Sequence, residues 1–274
     1  MTPRIGLIVI GDEILSGKRT DKHLPKFIEL LAARGLPLAW AEYVGDDPER
    51  ITATLARAFA AARDSGEVVF STGGIGATPD DHTRQCAARA LGVELALHPE
   101  AKALIEERMR DVAREQGTVF KPERHDNIHR LNMAMFPPGA EIIPNPYNKI
   151  AGFTCPVGEG AVHFVPGFPV MAWPMMEWVL DQRYAAWHQA SAGLEKSVIV
   201  MGSMEATLTP LMLDIEAHHP GVKVFSLPSV DHPQFGRHIE LGVKGAAQAV
   251  NEAYPALLAG LHQFDLKLGP ELVR

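Results

Sequence analysis

Three times within its first 92 residues the chain runs through the same order: a short apolar strand-like run, a loop carrying glycine and then a pair of acids, and an amphipathic helical stretch. The runs are IGLIVIG (5–11), PLAWAEYVG (37–45) and EVVFSTGG (67–74). Continuous apolar, β-branched runs suit strands buried on both faces, as in a parallel sheet. Each is followed by a segment with helical spacing: Leu24, Phe27, Ile28 and Leu31 before Gly35, then Ile51, Leu55, Ala58 and Phe59, then TPDDHTRQCAARALG (78–92). Alternating strand–helix units of this length predict a doubly wound, mostly parallel α/β sheet with right-handed crossovers.

The pattern changes twice further on. Segment 98–135 reads as a helical excursion, and 136–169 as short strands separated by Pro, Gly and Asn, before an apolar helix through VMAWPMMEWVLDQRYAAWHQ (170–189). From KSVIVMG (196–202) onward the order becomes strand, helix, strand, strand, helix. We therefore expect two domains, 1–188 of α/β type and 189–274 as a small α+β unit.

Composition narrows the function. The net charge of −7 opposes the broad basic surface that nucleic-acid binding needs, and no long uninterrupted apolar stretch marks a membrane span. Gly11, Asp12 and Glu13 end the first apolar run too early for a signal peptide, and Cys86 and Cys155 alone form no secreted disulfide framework. A cytoplasmic protein acting on small molecules, with no nucleic-acid or membrane partner, is the expectation. Trp173, Met175, Met176 and Trp178 at helical spacing suggest core or subunit contact, and a homo-oligomer is expected. His125 and His129, four residues apart, lack a third ligand at useful spacing and read as a polar helix face.

The stretch STGGIGATPDDHTR (71–84) supports two interpretations. As local structure, Thr78 is an N-cap, Pro79 the first helical residue, and Asp80 and Asp81 acids favoured by the helix dipole; GDDPER repeats this with Asp47 and Pro48. A cap does not require Gly73, Gly74 and Gly76, whereas backbone that must approach a phosphate or pterin does. In an open parallel sheet, ligands bind beyond the carboxyl ends of the strands. The loops expected there carry Asp12 and Glu13, Asp46 and Asp47, and Asp80 and Asp81. A hard divalent cation would relieve repulsion among these acids.

Together GDEILSG, YVGDD and STGGIGATPDDHTR resemble the motifs of the molybdopterin-binding fold of molybdenum-cofactor biosynthesis proteins. NMAMFPPGAEIIPN, VPGFPVMAWPMM and EATLTPLML resemble the competence/damage-inducible (CinA) branch. The resemblance implies a site for a phosphate-bearing pterin or nucleotide and, in some relatives, metal-dependent hydrolysis of ADP-ribose or FAD. Non-catalytic binding linked to molybdenum-cofactor metabolism, with molybdopterin as the ligand, is the alternative. Carried onto this chain, it makes Asp81 and Asp47 catalytic candidates and Asp46, Asp47 and Asp81 ligands for Mg, Mn, Co or Ni. Substrate-binding candidates are Gly11, Asp12, Glu13 and Gly17 in the first loop, Thr72, Gly73, Gly74, Gly76, Thr78, Asp80 and Thr83 in the third, and Asn145. Two departures touch the ligand: Asp21 and Lys22 in RTDKHL replace neutral amides, and NKIAGF changes the backbone near Ala151 and Gly152.

Overall fold

The computed structural model describes residues 4–188 and 193–274. Residue 189, the end of the expected helix, lies outside them. The chain divides into two compact units, Met1–His188 and Gln189–Arg274.

In the first unit the chain runs β1 (Ile5–Ile10), α1 (Asp12–Leu15), α2 (His23–Ala32), β2 (Trp40–Val44), α3 (Pro48–Ser65), β3 (Val68–Thr72) and α4 (Thr83–Leu91). It continues through β4 (Ala96–Leu97), α5 (Pro99–Glu115), α6 (His125–Leu131), β5 (Met135–Phe136), β6 (Glu141–Ile143), β7 (Gly152–Val157), β8 (Gly160–Val165) and α7 (Pro169–Arg183). The six-stranded sheet has the order β2-β1-β3-β8-β7-β6. The contacts β1–β2, β1–β3 and β3–β8 are parallel, while β7 pairs antiparallel with both β8 and β6. β4 and β5 form a separate two-stranded pair.

Alternation along β1 explains the two-sided core. Ile8 and Ile10 join one apolar layer with α3, α4 and α5; Ile5, Leu7 and Val9 join the other with α2 and α7. Every residue of β1 and β3 is buried, as a central parallel strand covered on both faces requires. His163 of β8 is fully buried but bonded at both ring nitrogens, to the Thr154 and Tyr184 hydroxyls at 2.8 and 2.7 Å, and burial pushes its pKa down to about 3.

α7 sits inside this packing. Met175 and Met176 are fully buried, and Trp173 and Trp178 pack against the same layer, so the apolar residues behind the oligomer expectation serve the core of one chain.

The second unit comprises β9 (Leu194–Met201), α8 (Glu205–His218), β10 (Val222–His232), β11 (Gly236–Gly245), α9 (Ala247–Leu261) and β12 (Lys267–Val273). Its antiparallel sheet is ordered β10-β11-β9-β12, with α8 and α9 closing one core against it. The terminal strand β12 is an addition to the expected pattern. It carries Gly269 and Pro270 at a register shift between Leu268 and Glu271, and it lies at the sheet edge, where proline costs no ladder bond. Among the described residues, no helix is long and apolar enough to cross a membrane.

Candidate functional site

Because β1, β2 and β3 are parallel, the chain leaves all three at the same end of the sheet. After β1, the Gly11 amide donates to the Val44 carbonyl at 3.0 Å, tying the first loop to the second. Asp12 and Asp46 then bond reciprocally: the Asp12 amide donates to Asp46 Oδ2 at 2.8 Å, and the Asp46 amide to Asp12 Oδ1 at 3.2 Å. Burial pushes the Asp46 carboxyl above the ordinary range; the Asp12 amide partly offsets this, and the carboxylates of Asp12, Glu13 and Asp80 add to it.

Asp47 behaves differently from its neighbour. Its Oδ1 accepts from the amides of Glu49 and Arg50 at 2.8 and 3.1 Å, with Pro48 opening α3, so it is a helix cap. These bonds hold its pKa below the ordinary carboxylate range.

The third loop departs from the expected helix. α4 begins at Thr83, not Pro79, and its cap position, His82, makes no side-chain cap bond. Asp80 and Asp81 lie in a turn before it: Thr78 donates its amide, at 2.8 Å, and its hydroxyl to Asp81 Oδ2, while the Asp81 amide donates to the Thr78 carbonyl at 3.0 Å. Thr83 fixes the helix start by donating its amide to the Gly74 carbonyl and its hydroxyl to the Gly73 carbonyl, both at 3.0 Å.

The three glycines have local causes. Gly73 and Gly74 adopt left-handed φ of 97° and 67°, and β-carbons there would overlap the Ile10 carbonyl oxygen and the Thr83 hydroxyl. A β-carbon on Gly76 would lie 2.6 Å from Asp81 Oδ2. Close packing therefore accounts for glycine at all three positions. What the loop presents is its amides: those of Gly74, Ile75, Gly76 and Ala77 find no acceptor among the described residues.

These loops surround a cavity of about 420 Å³. Gly11, Glu13, Asp46 and Thr72 line it, as do Gly73, Gly74, Gly76, Thr78, Asp80 and Asp81 of the third loop. Asn145 joins from across the sheet, its amide nitrogen donating to Asn148 Oδ1 and the Ile150 carbonyl at 2.8 and 2.9 Å and so shaping the adjoining loop. Ala151, in the stretch that departs from the CinA pattern, also lines it. Asp12, Gly17, Asp47 and Thr83 do not: Asp12 and Thr83 support the loops from behind, and Asp47 caps α3.

The expected metal set is not assembled. Asp47 is committed to two amides, and among the described residues no group of three or more His, Cys, Asp or Glu is placed to hold a metal ion.

Several residues of the site escaped the sequence. His23, 4% exposed, lines the cavity and donates from Nε2 to the Gly167 carbonyl at 3.0 Å, burial holding its pKa down. Asp21, read as a change affecting the ligand, accepts from the His23 and Leu24 amides at 2.8 and 3.1 Å and starts α2. Arg84, 3% exposed, donates to the Gly76 carbonyl at 2.6 Å and to the Asn132 carbonyl, and burial lowers its pKa to about 10. It remains charged at neutral pH behind the glycine loop. The Gly167 partner of His23 and the Asn132 partner of Arg84 lie far away in sequence, so no local pattern marks these two roles.

A family profile described as a probable molybdopterin-binding domain matches residues 6–186, the α/β unit that carries this cavity. The chain belongs to that family. A CinA-like protein of Anaeromyxobacter sp. (strain K) is 33% identical over 77% of this chain and 49% of its own length. A Thermoplasma volcanium protein is 30% identical over 81% of this chain and 79% of its own. The crystal structure of the protein CinA with unknown function from Thermoplasma acidophilum aligns with a TM-score of 0.53 at 26% identity, covering 68% of this chain and 99% of that one. This member of the molybdopterin-binding-domain family thus also resembles the CinA branch, while spanning about half the length of the CinA-like relative from Anaeromyxobacter.

Proposed function

We propose that the cavity binds a phosphate-bearing pterin or nucleotide, with the phosphate on the amides of Gly74 to Ala77. The observation that carries this is the run of four cavity-lining residues whose amides have no acceptor among the described residues. Consecutive amides of this kind make an anion-binding concavity, and the N-terminus of α4, which Thr83 ties to the same loop, adds its positive dipole end. The buried charge of Arg84, bonded to the Gly76 carbonyl, supports an anion there. Ile10, Ile14, Ile75, Ile150 and Met171 supply an apolar wall for the rest of the ligand.

The rim acids Glu13, Asp46, Asp80 and Asp81 oppose a bare phosphate and would favour one that arrives with a divalent cation. They form no three-ligand metal set of their own, so the proposal rests on binding. Titrating isotopically labelled protein with inorganic pyrophosphate tests it: the amide resonances of Gly74, Ile75, Gly76 and Ala77 should shift first. Shifts confined to other residues would refute the phosphate site. Incubation with ADP-ribose or FAD in the presence of Mg, Mn, Co or Ni then separates a pyrophosphatase from a binding protein by product release.

A further inference from the structure

Among the described residues the cavity wall holds one phenylalanine, tyrosine or tryptophan, Phe168, and this residue is 55% exposed although the backbone around it is fixed on several sides. Gly167 packs on the glycine loop, where its β-carbon would stand 3.4 Å from Gly73 Cα. The Gly167 carbonyl accepts from His23 Nε2 at 3.0 Å. The Phe168 carbonyl accepts from the Met171 and Ala172 amides at 3.0 and 2.9 Å, anchoring the residue to the start of α7. Leaving so large an apolar ring in water sacrifices burial that would stabilise the chain. A ring on backbone held this way, beside a loop whose amides find no acceptor among the described residues, offers a surface for a flat ligand group. The guanidinium of Arg19, another cavity residue, lies 6.0 Å from the centre of the ring. That is cation–π range, and it brings a positive charge to the same side of the cavity.

We propose that Phe168 is a specificity-determining residue, the stacking platform for the planar heteroaromatic ring of the ligand, with Arg19 as its cationic companion. The proposal rests on the phosphate site described above and adds the second half of the ligand: a ring joined to the phosphate by a short linker. Aromatic platforms accept any flat π-system, so the shared chemistry is a fused heterocycle, whether purine or pterin.

Calorimetric titration of wild type, Phe168→Ala and Phe168→Trp with adenosine 5′-monophosphate, ribose 5-phosphate and inorganic pyrophosphate tests the platform. 6-Hydroxymethylpterin serves as the pterin arm. Phe168→Ala should weaken the ring-bearing probes by about 10-fold, in line with the loss of one base–aromatic stack, and Phe168→Trp should restore them. Ribose 5-phosphate and pyrophosphate should bind all three proteins within about 2-fold of one another. The exposed side chain can be removed without unfolding, and an unchanged melting temperature for Phe168→Ala serves as the check. Equal weakening of ring-bearing and ringless ligands, or no weakening of either, overturns the platform. A wild type that binds pyrophosphate but neither ring probe also overturns it while leaving the phosphate site standing. A wild type that binds 6-hydroxymethylpterin through Phe168 but no pyrophosphate overturns the phosphate site instead.

Discussion

Two acidic pairs beside a proline, Asp46–Asp47 and Asp80–Asp81, follow parallel strands of one sheet and fold in opposite ways. In the first, aspartate precedes proline, Asp47 caps and Pro48 opens an 18-residue helix. In the second, Thr78 and Pro79 offer the same local signal, yet the helix waits until Thr83. The difference lies in what backs each loop. Behind Asp47 only its own helix needs satisfying, whereas Thr83 must reach the Gly73 and Gly74 carbonyls, and that packing across the loop overrides the nearer cap. The acid freed from capping, Asp81, then becomes part of a cavity wall.

Breaking the packing that separates the two loops should have the largest effect. Gly73→Ala combines a left-handed φ with overlap on the Ile10 carbonyl, so it should cost about 3 kcal/mol or more and lower Tm by roughly 6–12 °C. Gly17→Ala is the control. Gly17 has a similar φ of 72° but no atom within 4 Å of its β-carbon, and its substitution should cost only about 1 kcal/mol. Thermal unfolding measures both, and equal costs would mean that conformation, not the carbonyl behind the loop, requires glycine at 73.

Next in size is the contrast between the acids themselves. Asp47→Ala strips the acceptor from the Glu49 and Arg50 amides, so Tm should fall by about 2–4 °C while pyrophosphate affinity stays within about 2-fold. Asp81→Asn keeps an oxygen for Thr78 but removes one negative charge from the cavity wall. Metal-free pyrophosphate binding should strengthen about 2- to 5-fold, the scale of one solvent-screened charge interaction. Calorimetry decides, and a loss of affinity in Asp47→Ala comparable to any change in Asp81→Asn would erase the distinction.

This contrast also marks how far the sequence was legible. The strand–helix units announce themselves through apolar periodicity, and α3 through Asp47, Pro48 and a left-handed Gly66, because all of those causes are local. The start of α4 does not, since it is set by carbonyls that only the folded sheet brings near. The glycines have a second cause that only the fold displays: β-carbons there would meet the Ile10 carbonyl, the Thr83 hydroxyl and the Asp81 carboxylate, while Gly73, Gly74 and Gly76 themselves line the cavity. His23 bonds a residue 144 positions away, and Arg84 reaches Asn132, 48 positions on, so neither could be placed from its neighbours. In the second unit β12 was hidden by its own Gly-Pro.

The smallest effect, and the finest division between neighbours, is in the pH dependence of stability. The Asp46 carboxyl is raised above its ordinary pKa, first by burial and then by Asp12, Glu13 and Asp80. A raised folded pKa means that the folded state holds the proton more tightly, so stability falls as pH climbs through that value. Asn cannot ionise. Asp46→Asn should therefore match wild type below about pH 4 and exceed it in Tm at pH 7. Asp47 has the opposite sign: the Arg50 and Glu49 amides depress its pKa, so its contribution is present above the ordinary carboxylate range and vanishes as pH falls through the folded value. Asp47→Asn should accordingly be less stable than wild type at pH 7 and converge with it in acid. Melting curves of both variants from pH 3.5 to 8 give two differences that open in opposite directions. Two curves that open the same way would show that adjacent acids share one environment, against the geometry that commits one to the helix and the other to the cavity.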